Sequence, residues 1–189
     1  MNYRKIVLPA FILMAIVQMA VPASMIIRYE TTLSSGKQFK FKTAPVDPYD
    51  AFRGRFVALN IEGNNAEVPT GTNFVAGEKV YGQINIDKKG FAFMDKVSRE
   101  KPDSGDYLKT VVNYSANAGK VSLALPFNRY YMEEESAPLA EQAYNRRSNI
   151  ITNDAYITVR ILNGNGVIEG LFIGGKTILE YIKENPEKN

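Results

Sequence analysis

The N-terminal part of the chain is continuously apolar. Residues 6–27 read IVLPAFILMAIVQMAVPASMII and contain no ionisable side chain. As a helix rising about 1.5 Å per residue, this run spans the roughly 30 Å hydrocarbon core of a bilayer. Arg4 and Lys5 precede the run, and Arg28 follows it. The pattern predicts a transmembrane helix, and the positive-inside rule favours an N-terminus in the cytoplasm with the remaining chain outside.

Two other interpretations of this run compete with a retained anchor. A signal peptide cleaved at Ala23 would release a free periplasmic binding module, but signal h-regions usually extend over only about 7–15 residues. A buried core helix normally shows a polar face, which this run lacks. We therefore expect a membrane anchor that is followed by an extracytoplasmic main domain.

Beyond Tyr29 apolar and polar residues alternate, which is the period of a β-strand. The sequence Asn163-Gly164-Asn165-Gly166 separates two such runs and is a strong hairpin signal. Short runs between Gly- and Asn-containing turns are typical of an antiparallel β-sandwich or barrel, here with about seven to nine strands. The alternating runs lie at residues 38–42, 57–62, 80–87, 91–94, 108–114, 121–125, 155–161 and 167–173.

One or two short helices interrupt this mainly β pattern. Ser136 is a candidate N-cap for a helix from Ala137 to about Arg147, and a second short helix fits residues 178–184. Residues 63–77 carry little hydrophobic pattern and are interpreted as a surface loop or an excursion around a site. The predicted organisation is an anchor at residues 1–28, a β-rich domain at 29–185 and a frayed tail at 186–189.

Composition narrows the possible chemistry. The 189 residues include 23 Lys+Arg, 20 Asp+Glu and no His, Cys or Trp. Zinc sites of the Cys/His kind, Ser-His-Asp triads, thiol nucleophiles and disulfides are thereby excluded, and we expect no metal and no cofactor. The three basic residues around the apolar run account for the net charge of +3. The rest of the chain is electrically balanced, so its basic pI does not indicate nucleic-acid binding.

The most distinctive segment of the β-rich domain is residues 44–56, APVDPYDAFRGRF. Its prolines fix φ, its aspartates can accept bonds from nearby backbone N–H groups, and its glycine permits a bulge between two arginines. The segment is either an Asp/Arg cluster that binds a polar or anionic ligand or a partner, or a set of salt bridges bracing a tight turn, the commoner case. The candidate residues are Pro45, Asp47, Pro48, Asp50, Arg53, Gly54 and Arg55.

A secondary candidate segment is residues 125–135, LPFNRYYMEEE, in which a proline/aromatic/arginine turn precedes acidic residues and the predicted helix. The three consecutive glutamates are interpreted as a solvated approach to that helix rather than as a cation site. The candidate residues are Phe127, Arg129, Tyr130 and Glu134.

Residues 44–60 resemble the signature of the bacterial GDYXXLXY proteins, in which a V-D-P segment runs into the naming motif. Gly54 and Leu59 match that motif, whereas Arg55 stands at its Asp, Phe56 at its first Tyr and Ile61 at its last Tyr. The turn before the predicted helix and the closing hairpin are also similar to those of the family. Together with the anchor, the resemblance covers nearly the whole chain.

The resemblance implies a single-pass protein of the bacterial cytoplasmic (inner) membrane, with its main domain in the periplasm. It also implies a multispan membrane protein as the partner and no assigned catalysis. We therefore interpret the chain as an accessory or binding subunit of a bacterial envelope membrane complex, with a ligand that the sequence does not identify. The alternative is a His-independent envelope hydrolase of Ser–Lys or carboxylate type. Its candidate nucleophiles are Ser34, Ser98 and Ser122, with Lys37 or Lys96 as the base.

Overall fold

A computed structural model describes residues 4–44, 56–116, 119–148 and 154–185. The chain begins with helix α1, Arg4–Ser35, which contains the whole apolar run. From Val7 to Ile27 nearly all its side chains are exposed, and none of them is buried in the protein. Because α1 is long and apolar enough to cross a bilayer, the structure is compatible with a membrane-anchored protein.

The remaining described residues form a mainly β domain, as the alternating pattern predicts. Seven of its strands have five or more residues, and five strands have only two or three. The pattern anticipates the long strands, because two or three residues are too few to show a period of two. The elements are β1 (Lys37–Ala44), β2 (Phe56–Ala58), β3 (Asn60–Ile61), β4 (Asn65–Glu67), β5 (Lys79–Ile86), β6 (Ala92–Ser98), β7 (Tyr107–Ala116), β8 (Lys120–Ala124), β9 (Arg129–Tyr131), α2 (Ala137–Ser148), β10 (Ala155–Leu162), β11 (Asn165–Ile173), β12 (Lys176–Thr177) and α3 (Ile178–Glu184).

An antiparallel five-stranded sheet has the order β12-β11-β10-β1-β3. Its central hairpin, β10–β11, turns where the sequence predicts, and positive φ angles at Asn163 (52°) and Gly164 (80°) give the turn the twist that hairpins require. Alternation along β1 directs Phe39 and Phe41 into the core. The hydrophobic pattern therefore sets which face of this sheet is buried.

A closed barrel follows, with the order β4-β6-β5-β7-β8. Strand β4 closes it by pairing with β8 and, in parallel, with β6. The interpretation of residues 63–77 as a loop is therefore wrong for β4, whose Ala66 is fully buried. Inside the barrel, a Cβ at Gly82 would lie 2.9 Å from both Leu123 and Met94. The barrel interior is thus packed so closely with side chains that position 82 has no room for a Cβ.

One hydrophobic core joins the sheet to the barrel. Phe41 of the sheet and Phe127, which follows the barrel, meet with ring centroids 5.3 Å apart. Both predicted helices are confirmed, and α3 begins with a capping box between Thr177 and Glu180.

Candidate binding cleft at the end of helix α1

All seven residues of the primary candidate segment, Pro45 to Arg55, lie outside the described residues, so they remain a prediction. The structure does show the two ends of the segment. Ala44 closes β1 and pairs with Asn60 of β3, while Phe56 opens β2. The hydroxyl of Tyr144, a fully buried residue of α2, donates to the Ala44 carbonyl at 2.7 Å. The segment therefore starts from a point that is fixed by the core.

Strand β2, which lies within the residues that resemble the GDYXXLXY motif, is a neighbour in space of the secondary candidate segment. Strands β2 and β9 form an antiparallel ribbon in which Phe56 faces Tyr131 and Ala58 faces Arg129. The Leu59 N–H extends the ribbon by donating to the Asn128 carbonyl at 2.9 Å. Sequence reasoning identified both segments but missed their pairing, because a three-residue strand gives no signal for its partner.

The motif positions divide into buried and surface residues. Val57, Leu59 and Ile61 are all buried, so the motif leucine contributes to the core. The guanidinium of Arg129, which is exposed, lies 4.8 Å from the centroid of the Phe56 ring. The surface of the ribbon thus carries Arg129 in a cation–π contact with the Phe56 ring.

The other secondary candidates have different positions. Phe127 is 4% exposed and packs in the core, and a Cβ at Gly166 would lie 2.8 Å from its ring. Tyr130 is half-buried, and burial raises the pKa of its hydroxyl above the ordinary value, with the nearby Tyr29 adding to the effect. Glu134 lies exposed in the turn before α2 and is not among the residues that line the cleft described next.

A cleft of about 480 Å³ lies where α1 meets the β domain. It brings together Arg129 and Tyr130 from the predicted segment with Tyr29 and Leu33 of α1. Sequence reasoning missed the α1 contribution, although the i, i+4 spacing of Tyr29 and Leu33 just beyond the apolar run could have indicated it. The remaining lining comes from Pro126, Phe127, Tyr131, Gly166, Val167, Ile168 and Glu169.

The end of α1 is packed tightly on the five-stranded sheet. Thr32 is buried, and the Gly36 N–H donates to the Thr32 carbonyl at 2.9 Å. A Cβ at Gly36 would lie 2.4 Å from that carbonyl oxygen and 3.0 Å from the backbone nitrogen of Ile161. Only glycine allows the two backbones to approach this closely without a shift. The apolar helix therefore joins the domain with no linker between them.

A polar network holds the same junction. Arg160 donates to the Gly36 carbonyl at 3.2 Å and forms an ion pair with Glu169 at 2.9 Å. Gln38 donates to the second oxygen of the Glu169 carboxylate. The hydrogen bond from Arg160 is the main cause that lowers the pKa of the Glu169 carboxyl, and the Gln38 bond adds to it. Glu169 is thus ionised at neutral pH and engaged on both oxygens.

Among the described residues, no hydrogen bond joins a serine of the hydrolase alternative to Lys37 or Lys96. Lys37 forms an ion pair with Asp106, and Lys96 is exposed. Ser122 is buried in the barrel, where its hydroxyl lies 3.4 Å from the amide nitrogen of Asn64. Among the lysine side chains that the structure describes, none is buried, whereas a lysine base requires a lowered pKa of the kind that burial provides. The arrangement gives the Ser–Lys hypothesis no support.

The profile of one protein family, described as GDYXXLXY protein, matches residues 18–171. The chain belongs to the GDYXXLXY family. No curated protein and no solved structure matches it. In this GDYXXLXY protein the family match runs from within α1 to β11, so it includes the ribbon, the barrel and every element that lines the cleft.

Proposed function

We propose that this GDYXXLXY protein is a single-pass membrane protein that serves as an accessory or binding subunit of a bacterial envelope membrane complex. Its β domain lies in the periplasm, and its partner is a multispan membrane protein. The observation that carries the proposal is the continuity of α1, whose apolar part is exposed and whose last turns are packed on the sheet around Gly36.

The exposed apolar surface of α1 supports the membrane part of the proposal. Large side chains such as Phe11, Leu13 and Met19 have more than half of their surface accessible. Burying one such side chain stabilises by about 1.5–3 kcal/mol, so a helix with many of them strongly favours a bilayer over water. Basic residues precede the run at positions 4 and 5, and the positive-inside rule then favours a periplasmic β domain.

The rigid junction supports the accessory role. A domain that follows its anchor without a linker is held at one height and orientation above the bilayer, so it presents a fixed surface to a neighbour in the same membrane. Asn60, exposed beside Ala44 at the start of the candidate segment, lies next to the proposed contact surface. The partner contacts are proposed to come from that segment, residues 45–55, which includes the Asp47, Asp50, Arg53 and Arg55 side chains.

Site-specific photocrosslinking in intact cells tests the proposal. A photoreactive residue at position 60 should give an adduct with one multispan membrane protein, identified by mass spectrometry of the membrane fraction. The matched control is position 88, an exposed lysine in the β5–β6 turn, which should give no such adduct. Recovery of the uncrosslinked protein alone from both positions would count against a membrane partner.

A further inference from the structure

We propose that the cleft between α1 and the β2–β9 ribbon binds the anionic headgroup of a membrane phospholipid. The inference rests on the membrane anchoring in the proposed function and is independent of a protein partner. It is carried by the height of the cleft along α1, by the exposed guanidinium of Arg129 and by the mixed polar and apolar lining.

The geometry of α1 places the cleft at the level of the lipid headgroups. The apolar run ends at Ile27, and an α-helix rises about 1.5 Å per residue. Tyr29 and Leu33 therefore lie about 3 and 9 Å beyond the end of the apolar run. The polar zone on each side of a bilayer is roughly 5–8 Å thick, so a cleft lined by these two residues lies within or at the border of that zone.

The charge of the cleft favours an anion. Arg129 lies above the Phe56 ring, and the described residues place no carboxylate within ion-pair distance of it. Glu169, the one acidic residue that the described part of the chain contributes to the lining, is already paired with Arg160 and Gln38. Arginine donors suit phosphate oxygens, and the hydroxyls of tyrosines such as Tyr130 are additional donors.

A second basic residue lies at the same height. Arg28 directly follows the apolar run and stands one helical turn before the buried Thr32, so it shares the face of α1 that is turned towards the domain.

The apolar lining from Leu33, Phe127 and Ile168 is suited to the glycerol and the first acyl carbons of a lipid. A transmembrane helix in this position would instead leave the Arg129 guanidinium without an anion, which is unfavourable in an apolar contact.

Lipid retention by the full-length protein tests this proposal. The protein is reconstituted in nanodiscs of phosphatidylglycerol mixed with phosphatidylcholine, and co-purifying lipids are counted by native mass spectrometry. We expect phosphatidylglycerol to be enriched, and Arg129→Gln to lower the enrichment by roughly three- to tenfold, the effect of losing one hydrogen bond of ordinary net strength at an exposed site. Arg129→Lys, which keeps the charge, should retain most of it. Lys120→Gln removes one exposed charge from the barrel and should leave the enrichment unchanged.

Each other outcome overturns the proposal. Equal enrichment in the wild type, Arg129→Gln and Lys120→Gln proteins would show that the lipid does not bind through Arg129. Enrichment lost in both glutamine variants would indicate a general charge effect. Competition by soluble glycerol 3-phosphate that equals the effect of lipid would show a small-anion site, and a protein crosslinked from position 131 in place of lipid would show a protein occupant. Failure of the protein to enter nanodiscs would instead contradict the anchoring itself.

Discussion

The five-stranded sheet and the closed barrel share one hydrophobic core but differ at their edges, because the sheet is open and the barrel is closed. The barrel is closed through β4, so every strand in it has two neighbours. The sheet ends in two-residue strands, β12 and β3, and one of its faces receives the end of α1. The junction network and two segments of the cleft lining belong to the sheet and α1, whereas the buried side chains of the barrel are mainly apolar. The sheet therefore helps to position the cleft, whereas none of the barrel strands lines it.

The largest effect should follow from opening the barrel interior. Leu123→Ala removes a side chain that is 1% exposed, and we expect a loss of about 2–5 kcal/mol in the free energy of unfolding. Denaturant unfolding of the full-length protein in detergent measures it. The matched control is Leu139→Ala on α2, whose side chain is 43% exposed and should cost far less. Equal losses in the two variants would contradict the expectation that the packed barrel interior stabilises the fold.

A smaller effect should follow from a change at the junction. Gly36→Ala forces a Cβ against the Thr32 carbonyl, and we expect a cost of about 1–3 kcal/mol, expressed as loosening of α1 from the sheet. Hydrogen exchange of residues 28–40 should accelerate while the barrel strands keep their protection. Ser35→Ala, an exposed neighbour, is the control. Unchanged exchange in Gly36→Ala would show that the close approach is not required.

The outer edge of the sheet offers a still smaller test. Thr177 accepts the Glu180 N–H and caps α3 next to the edge strand β12. Thr177→Ala should lower the free energy of unfolding by about 1 kcal/mol. The same measurement on Thr177→Ser, which keeps the hydroxyl, should lie close to the wild type. A serine variant as unstable as the alanine variant would argue that the methyl group, and not the cap, matters.

The smallest effect concerns pH at the junction. The folded state lowers the pKa of the Glu169 carboxyl below its ordinary 4.5. The stability that the ionised Glu169 carboxylate contributes to the folded state is therefore present above about pH 4.5. It is lost as the pH falls through the folded-state pKa. Because the pair with Arg160 is partly exposed, we expect it to be worth no more than about 1 kcal/mol. Proteolysis near the end of α1 should accelerate on acidification in the wild type and much less in Glu169→Gln. Identical pH profiles would assign the effect to another group.

Local patterns in the sequence predicted the elements well. Residues 38–42 and 155–161 show the alternation that becomes β1 and β10, and Asn163-Gly164 forms the turn that its residue types require. The helix after Ser136 and the helix at 178–184 are also confirmed. In each case the signal lies within a few neighbouring residues, so the sequence alone contains it.

The arrangement of the candidate site could not be predicted from the sequence, because it depends on the folded chain. Residues 127–131 stand out in the sequence, but their position beside β2 and the end of α1 depends on pairings between residues far apart. Strand β4, which closes the barrel, is too short to show a pattern. Gly36 and Glu169 carry no distinctive sequence signal, since their importance comes from backbone approach and from a network across three elements.

The sequence by itself determined the apolar helix, the alternation that makes the domain mainly β, the hairpin turn and the family, because each of these depends on local order along the chain. Only the tertiary structure decided how the strands are ordered, that the barrel closes through β4, and that α1 ends against the sheet beside Arg129. These depend on which distant residues bury each other's surface, and burial is a property of the whole packed core.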